Sequence, residues 1–351
     1  MDMAQPLARL LALAVQNQAS DLHLSAGVPP LVRVHGRLRP LVPEPLDDAG
    51  VQALVASAMD AAQRQHDAQG ADADFAFELP GVGRFRAHAY RQARGAGAAF
   101  RAIATRVPTL AEIGAPALLG ELALKARGLL LVTGPAGSGK STTLAALVGH
   151  RAAQRPGHTV TVEDPIEFVH GNGLGLVSQR EVGRHAPSFA AALRSALRQD
   201  PDAILLGEIR DLETMRLALT AAETGHLVLA TLHTAGAAKA VDRVIDVFAA
   251  EEQPGVRAML SESLVAVVAQ ALLPTHDGSA RVAAYEVLVG TPAVRNLVRE
   301  GKVAQLYSAM QTGQAQGMQT LDQSLQALVR QGVVQAAQAR ALARAPEAIG
   351  G

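Results

Sequence analysis

The sequence predicts an α/β protein of two domains: a small α+β domain, then a larger and mainly parallel sheet covered by helices on both faces. Three observations carry the prediction. Up to about residue 105 apolar and polar residues alternate at the period of strands, with turn signals at PGVG and RGAG. Further on, short apolar runs alternate with helical stretches, which is the rhythm of a parallel sheet. A length of 351 residues, 49% of them apolar, exceeds one small core and supplies two.

In chain order, MAQPLARLLALAVQNQ has its apolar residues at helical spacing and reads as a first helix ending near Gln18. Leu22 and Leu24 then alternate with Asp21, His23 and Ser25, and LVRVHGRLRPL reads as two short strands around a His-Gly turn. VQALVASAMDAAQRQHDAQ is an Ala-rich helical stretch. DFAFELPGVGRFRAHAYRQARGAGAAFRAIATR reads as three strands; in the middle one Phe85, Ala87 and Ala89 face one way and Arg84, Arg86 and His88 the other, giving the domain an arginine-rich face. The spacing places this first domain at 1–105, a linker at 106–116, and the second domain at 117–351, with carboxyl-terminal helices from about residue 290.

Composition narrows the class. The 32 basic and 32 acidic residues cancel, which removes the electrostatic case for nucleic acid or an anionic membrane as the main partner. Single-strand binders also rely on stacking rings, and only 3% of residues are aromatic. With no cysteine, disulfides and thiolate zinc modules are excluded. No apolar run reaches the ~18 residues of a membrane helix, and the amino end does not read as a signal peptide, so the expectation is a soluble cytoplasmic protein.

Four short apolar strands, in GLLLVTG, HTVTVED, AILLGE and HLVLATLHT, have polar residues where each one stops. In an open α/β sheet the ligand lies outside the carboxyl ends of the strands, so these four ends are expected to converge. The first end is GPAGSGKS: Gly134, Pro135, Ala136, Gly137, Ser138, Gly139, Lys140 and Ser141 match GxxxxGK[ST] between a strand and a helix, and Thr142 next to them is counted with the nucleotide-binding residues. Backbone amides there close around phosphate oxygens, Lys140 reaches the β and γ phosphates, and Ser141 offers its hydroxyl to Mg²⁺; the site is built for a nucleoside triphosphate with Mg²⁺, which the family resemblance below implies is ATP. At the second end Glu163 is placed to orient and deprotonate a water, with Glu167 and His170 as weaker candidates. At the third, Glu208 follows an apolar strand and is placed to hold the water shell of the metal, although Gly207 stands where an aspartate usually precedes it. The fourth carries His226 and His233. Seven residues of strand at about 3.3 Å each separate them by roughly 23 Å, so they do not share an ion; His233, at the carboxyl end, is the one placed to sense a terminal phosphate.

This set, a Walker A loop, TVEDPIEFVH, ILLGEIRD and AETGHLVLATLHT in that order, resembles the secretion ATPase superfamily of RecA-like hexameric motors. ASDLHLSAGVPPLVRVHGRL, RGAGAAFRAI and AVRNLVREGKVAQLYSAMQTGQAQGMQTLDQSL narrow the resemblance to the retraction ATPases of type IV pili. It implies a RecA-like P-loop ATPase core with a PAS-like amino-terminal domain, a homohexamer at the cytoplasmic face of the inner membrane, and roles for Glu163 in water activation, Glu208 at the metal and His233 at the γ phosphate. It also implies arginines of the first domain reaching nucleotide in trans, with Arg86, Arg91, Arg94 and Arg101 in the matching stretch. The partners implied are an inner-membrane pilus platform protein and a second retraction ATPase. Ala136 replaces a common threonine at a backbone-binding position, and Gln199 replaces a usual glutamate in LRQDPD. Rival readings are an assembly or type II secretion ATPase, which usually has a longer amino-terminal region and a four-cysteine metal module, an accessory retraction motor, and a nucleic-acid translocase.

The stretch TPAVRNLVREGK reads as a short helix capped by Thr291, with Pro292 at its first position and Gly301 ending it. Val294, Leu297 and Val298 share one face, and Arg295 and Arg299 project elsewhere. Within the resemblance, Ala293, Val294, Arg295, Asn296, Leu297, Val298, Arg299 and Glu300 are the carboxyl-terminal signature of retraction. That implies that Arg295→Ala or Arg299→Ala spares the ATPase rate and impairs retraction.

Overall fold

A computed structural model of the protein describes residues 6–34, 36–68, 71–103 and 106–350. By packing, the chain forms two units: Met1–Arg106 with Pro165–Val169, and Val107–Asp164 with His170–Gly351.

In the first unit α1 (Pro6–Gln16) buries Leu7, Leu11 and Ala14 at helical spacing. It ends before Gln18, whose φ of 54° turns the chain. Strands β1 (Asp21–Ser25), β2 (Leu31–Val34) and β3 (Arg37–Pro40) follow. The His-Gly turn expected between the last two falls on His35, which lies outside the described residues; Gly36, at φ 80°, leads into β3. The Ala-rich stretch is two helices, not one: α2 (Asp48–Ala58) and α3 (Ala61–Ala68). Met59 is extended, and Asp60 and Gln63 exchange side-chain-to-backbone bonds at 2.9 Å each, a reciprocal cap that starts the second helix. Then β4 (Ala73–Leu79), β5 (Gly83–Gln92) and β6 (Gly95–Ile103) complete a sheet of order β3-β2-β1-β6-β5-β4, antiparallel throughout. Phe75, Phe85 and Phe100 anchor its core against α1 and α2, and the polar side of β5 carries the arginines.

The second unit begins with α4 (Leu118–Ala123), β7 (Gly128–Thr133), α5 (Lys140–Gln154), β8 (His158–Glu163), β9 (Leu176–Glu181) and α6 (Phe189–Ala196). Next come β10 (Ala203–Leu206), α7 (Leu212–Glu223), β11 (Leu227–Leu232), α8 (Ala237–Asp246), α9 (Gln253–Ser263), β12 (Leu264–Pro274) and β13 (Arg281–Val289). The chain ends in α10 (Pro292–Arg299), α11 (Leu306–Thr312), α12 (Leu321–Arg330) and α13 (Ala336–Leu342). The sheet order is β13-β12-β7-β11-β10-β8-β9, parallel except for β13 against β12. Along β7, Leu129 and Leu131 enter one core, and Leu130 and Val132 the other, so both faces are covered as the unbroken apolar run requires. Each such buried side chain contributes about 1.5–3 kcal/mol.

The sequence reading of the last helices holds in form and fails at one side chain. Thr291 caps α10 through Val294 N, Pro292 opens it, and Gly301 turns out of it at φ 71°. Val294 and Val298 are fully buried against the neighbouring helices. Arg295, expected to project from the polar face, instead donates from Nε to the Gly290 carbonyl (2.8 Å) and from Nη2 to that of Leu264 (3.0 Å), stitching the helix to the start of β12. Arg299 pairs with Glu262 at 2.6 Å on α9. Proximity in space to β12, invisible to helical periodicity, is what turns Arg295 inward.

Candidate active site

The four strands singled out by their polar ends are the four central neighbours of the second sheet, β7, β11, β10 and β8. Their carboxyl ends therefore lie side by side, and each adjacent pair is bridged by side chains. Between β7 and β11, Thr133 Oγ1 donates to the Thr234 carbonyl (2.7 Å) and accepts from Thr234 N (2.9 Å). Between β11 and β10, His233 Nε2 lies 3.0 Å from Glu208 Oε1. Between β10 and β8, Arg210, held by Glu208 at 2.9 Å, reaches Asp164 at 3.8 Å. Glu163 ends β8 itself, with Thr161 Oγ1 donating to its Oε1 at 2.6 Å.

The loop from Gly134 to Lys140 leaves β7 and enters α5. Gly139 has no side chain with which to cap the helix and sits at φ 89°, so the first-turn amides of α5 open towards the loop as an anion cradle. Lys140 is buried, and its ammonium donates to the carbonyls of Gly134 (2.9 Å) and Pro135 (2.8 Å), which curl the loop around it. Ser141 is exposed at the first turn and Thr142 half-buried, while Pro135, Ala136 and Gly137 form the open crown. Ser138 Oγ is buried and unpaired among the described residues, and Gln270 on β12 holds the Ser138 carbonyl at 2.6 Å. This donor set, amides, one ammonium and an exposed hydroxyl, on a sheet whose neighbouring strand ends carry carboxylates, fits a triphosphate with Mg²⁺. At Gly134, φ 146°, a Cβ would stand 2.4 Å from the Gln270 carbonyl oxygen and 2.6 Å from Ser138 Oγ. Gly134→Ala is accordingly expected to weaken nucleotide affinity by about tenfold or more through loop distortion, with an unchanged circular dichroism spectrum; titration with a fluorescent ADP analogue measures it.

The remaining candidates divide. Gly207 lies beside the backbone that carries Glu163: a Cβ there would stand 3.4 Å from Glu163 Cα and from the Val162 carbonyl oxygen, an ordinary contact distance. Gln199 lies at the amino ends of the strands, its carbonyl 3.0 Å from His158 Nδ1 and its amide on Ser195, and so its exchange is remote from the converging carboxyl ends. His226 precedes β11 and binds the carbonyl of Ala221 at the end of α7, a structural task. His170 is pushed down to about 4 by burial, hence neutral and a weak base at neutral pH. In the first unit Glu167 meets Arg86 at 3.4 Å, with Asp74 at 3.8 Å from the same guanidinium. Arg101 binds Asp21 at 2.9 Å with its side chain 72% exposed; Arg91 is exposed at the end of β5 and Arg94 in the tight turn after it. Sequence reasoning passed over Thr133, Arg210 and Gln270. Arg210 follows Glu208 by two residues and was legible from that spacing; Gln270 was not, because β12 reads only as an apolar run.

A profile described as "Type II/IV secretion system protein" matches residues 3–341. The chain belongs to this secretion ATPase family. Among the relatives of this family member, the type IV pilus retraction ATPase PilT of Pseudomonas aeruginosa is 54% identical over 97% of the chain and 99% of its own length. The type IV pilus ATPase PilU of the same organism is 44% identical over 93% and 85% respectively. A crystal structure of the pilus retraction motor PilT with bound ADP superposes with a TM-score of 0.90 at 42% identity, covering 98% of both chains. The α/β core and the amino-terminal unit are those of this secretion ATPase fold, and no helix among the described residues is long and apolar enough to cross a membrane.

Proposed function

We infer that this protein is the ATP-hydrolysing motor that retracts type IV pili and so drives twitching motility. The observation that carries the reading is the pairing of an intact strand-end ATP site with likeness to PilT along the whole chain, including α10. On this reading the amino-terminal domain is PAS-like and spans 1–105, a linker covers 106–116, and the RecA-like ATPase domain covers 117–351.

Lys140 exchanges its two loop carbonyls for the β and γ phosphates of ATP, and the amides of the Gly134–Thr142 loop close on the rest. Ser141 and Glu208 hold Mg²⁺, which neutralises phosphate charge when bound. Glu163, oriented by Thr161, takes a proton from the attacking water. His233 senses the γ phosphate, and its contact with Glu208 relays that state to Arg210 and Asp164 along the neighbouring strand ends. The protein works as a cytoplasmic homohexamer in which Arg86, Arg91, Arg94 and Arg101 are the candidates for reaching nucleotide from a neighbouring subunit. Successive hydrolysis turns an inner-membrane platform protein of the PilC type, with a PilU-type ATPase as a second motor; the membrane is engaged only through these partners, and nucleic acid is not a ligand.

Deletion in a host that makes type IV pili tests the reading. Surface pili in excess with twitching lost is the expected result. Absent pili would make the protein an assembly ATPase, and twitching restored by overproducing the host's other retraction ATPase would make it the accessory motor.

A further inference from the structure

Gln179 belongs to none of the strand-end motifs, yet it is the second side chain that holds Glu163. It lies on β9, the edge strand, in register with Thr161 of β8, while Glu163 pairs with Glu181. Because side chains alternate along a strand, Thr161, Glu163 and Gln179 share one face of the sheet. Gln179 Nε2 donates to Glu163 Oε1 at 3.0 Å, and Gln179 Oε1 accepts from the backbone N–H of His170 at 2.8 Å. Chemistry fixes the orientation of the amide. A backbone N–H only donates and an ionised carboxylate only accepts, so the amide oxygen must face His170 and the amide nitrogen Glu163.

We propose that Gln179 is a positioning residue for ATP hydrolysis: with the Thr161 hydroxyl it clamps one oxygen of Glu163, so that the plane of the carboxylate is set before water and nucleotide arrive. This rests on the reading of Glu163 as the base. Two donors on the same oxygen, one from the strand of Glu163 and one from its neighbour, leave the carboxylate little freedom to rotate about its last bond. The hydrogen bond to His170 in turn holds the amide. His170 lies in the second unit, in the loop that leads to β9, so the base is tied through Gln179 to that loop. Misplacement of a general base by a fraction of an ångström is felt in the rate and hardly in nucleotide binding.

The test is steady-state ATPase kinetics and ADP affinity of the full-length protein in four forms: Gln179→Leu, Gln179→Glu, Glu163→Gln and the double variant Gln179→Leu/Glu163→Gln. Gln179→Leu is expected to lower kcat by about ten- to hundredfold with KM and the ADP Kd within about twofold of the wild type. Gln179→Glu keeps the size and the acceptor for His170 but loses the donor, so its kcat is expected to fall at least as far; a packing role would leave this isosteric variant active. In the Glu163→Gln background, Gln179→Leu is expected to cost nothing more. An inactive Glu163→Gln beside a Gln179→Leu of wild-type kcat would overturn the role of Gln179 alone. A Glu163→Gln of wild-type turnover would overturn the assignment of the base, and this inference with it.

Discussion

Glu163→Gln is expected to bind ATP as the wild type does and to turn it over about 10²–10⁴-fold more slowly, the usual contribution of a positioned general base. The substitution separates charge from position. Its carbonyl oxygen can still accept from Thr161 Oγ1 and Gln179 Nε2, the two donors on Oε1, so the side chain keeps its place while losing the basicity that takes a proton from water. Binding is unaffected because the contacts made by Lys140 and the loop amides are on the opposite side of the reaction, at β7 and α5. Phosphate release and a nucleotide titration on the same preparation check both halves, and a wild-type rate of release would remove Glu163 as the base.

Arg295→Ala is expected to lower stability by about 2–4 kcal/mol, since it strips donors from two backbone carbonyls, that of Leu264 at the start of β12 and that of Gly290 just after β13. For a domain of this size that corresponds to a fall in Tm on the order of 5–15 °C. Because β12 also carries Gln270, which holds the phosphate loop through the Ser138 carbonyl, ATPase activity is expected to fall together with stability. Arg299→Ala removes an exposed pair with Glu262 and a long 3.3 Å hydrogen bond from Nε to Ser261 Oγ, together worth about 1 kcal/mol. Asn296→Ala and Ala293→Ser, at exposed positions of α10, are the substitutions expected to spare hydrolysis and impair retraction. Thermal melts and ATPase rates of the four variants, followed by twitching assays, measure the contrast. Unchanged stability in Arg295→Ala would return the arginine to the surface role that helical periodicity implies.

Most of the site was legible because its chemistry is written at strand ends. The loop from Gly134 to Thr142, Glu163, Glu208 and His233 each follow an apolar run, and the parallel sheet rule brings such ends together without reference to any other contact. The parts that were not legible depend on which strand lies beside which. Strand β9 reads LVSQRE, half polar because it is an edge, so nothing marked it as a strand or Gln179 as a neighbour of Glu163. Thr133 and Thr234 are 101 positions apart, and Arg295 and Leu264 31, separations at which spacing carries no information.

The amino-acid sequence by itself determined that the chain has an α/β core with a phosphate-type loop and an α+β amino-terminal part, and which residues stand at the strand ends, because those demands are local: a glycine-rich turn before a helix, a carboxylate after a strand, a cap and a proline before a short helix. Tertiary structure alone decided which carboxylate oxygen is clamped and by whom, that Gln199 stands away from the converging strand ends, and that Arg295 serves the fold. Those are questions of distance between segments far apart in the chain, and they are settled only when buried backbone and side-chain groups find partners in the packed interior.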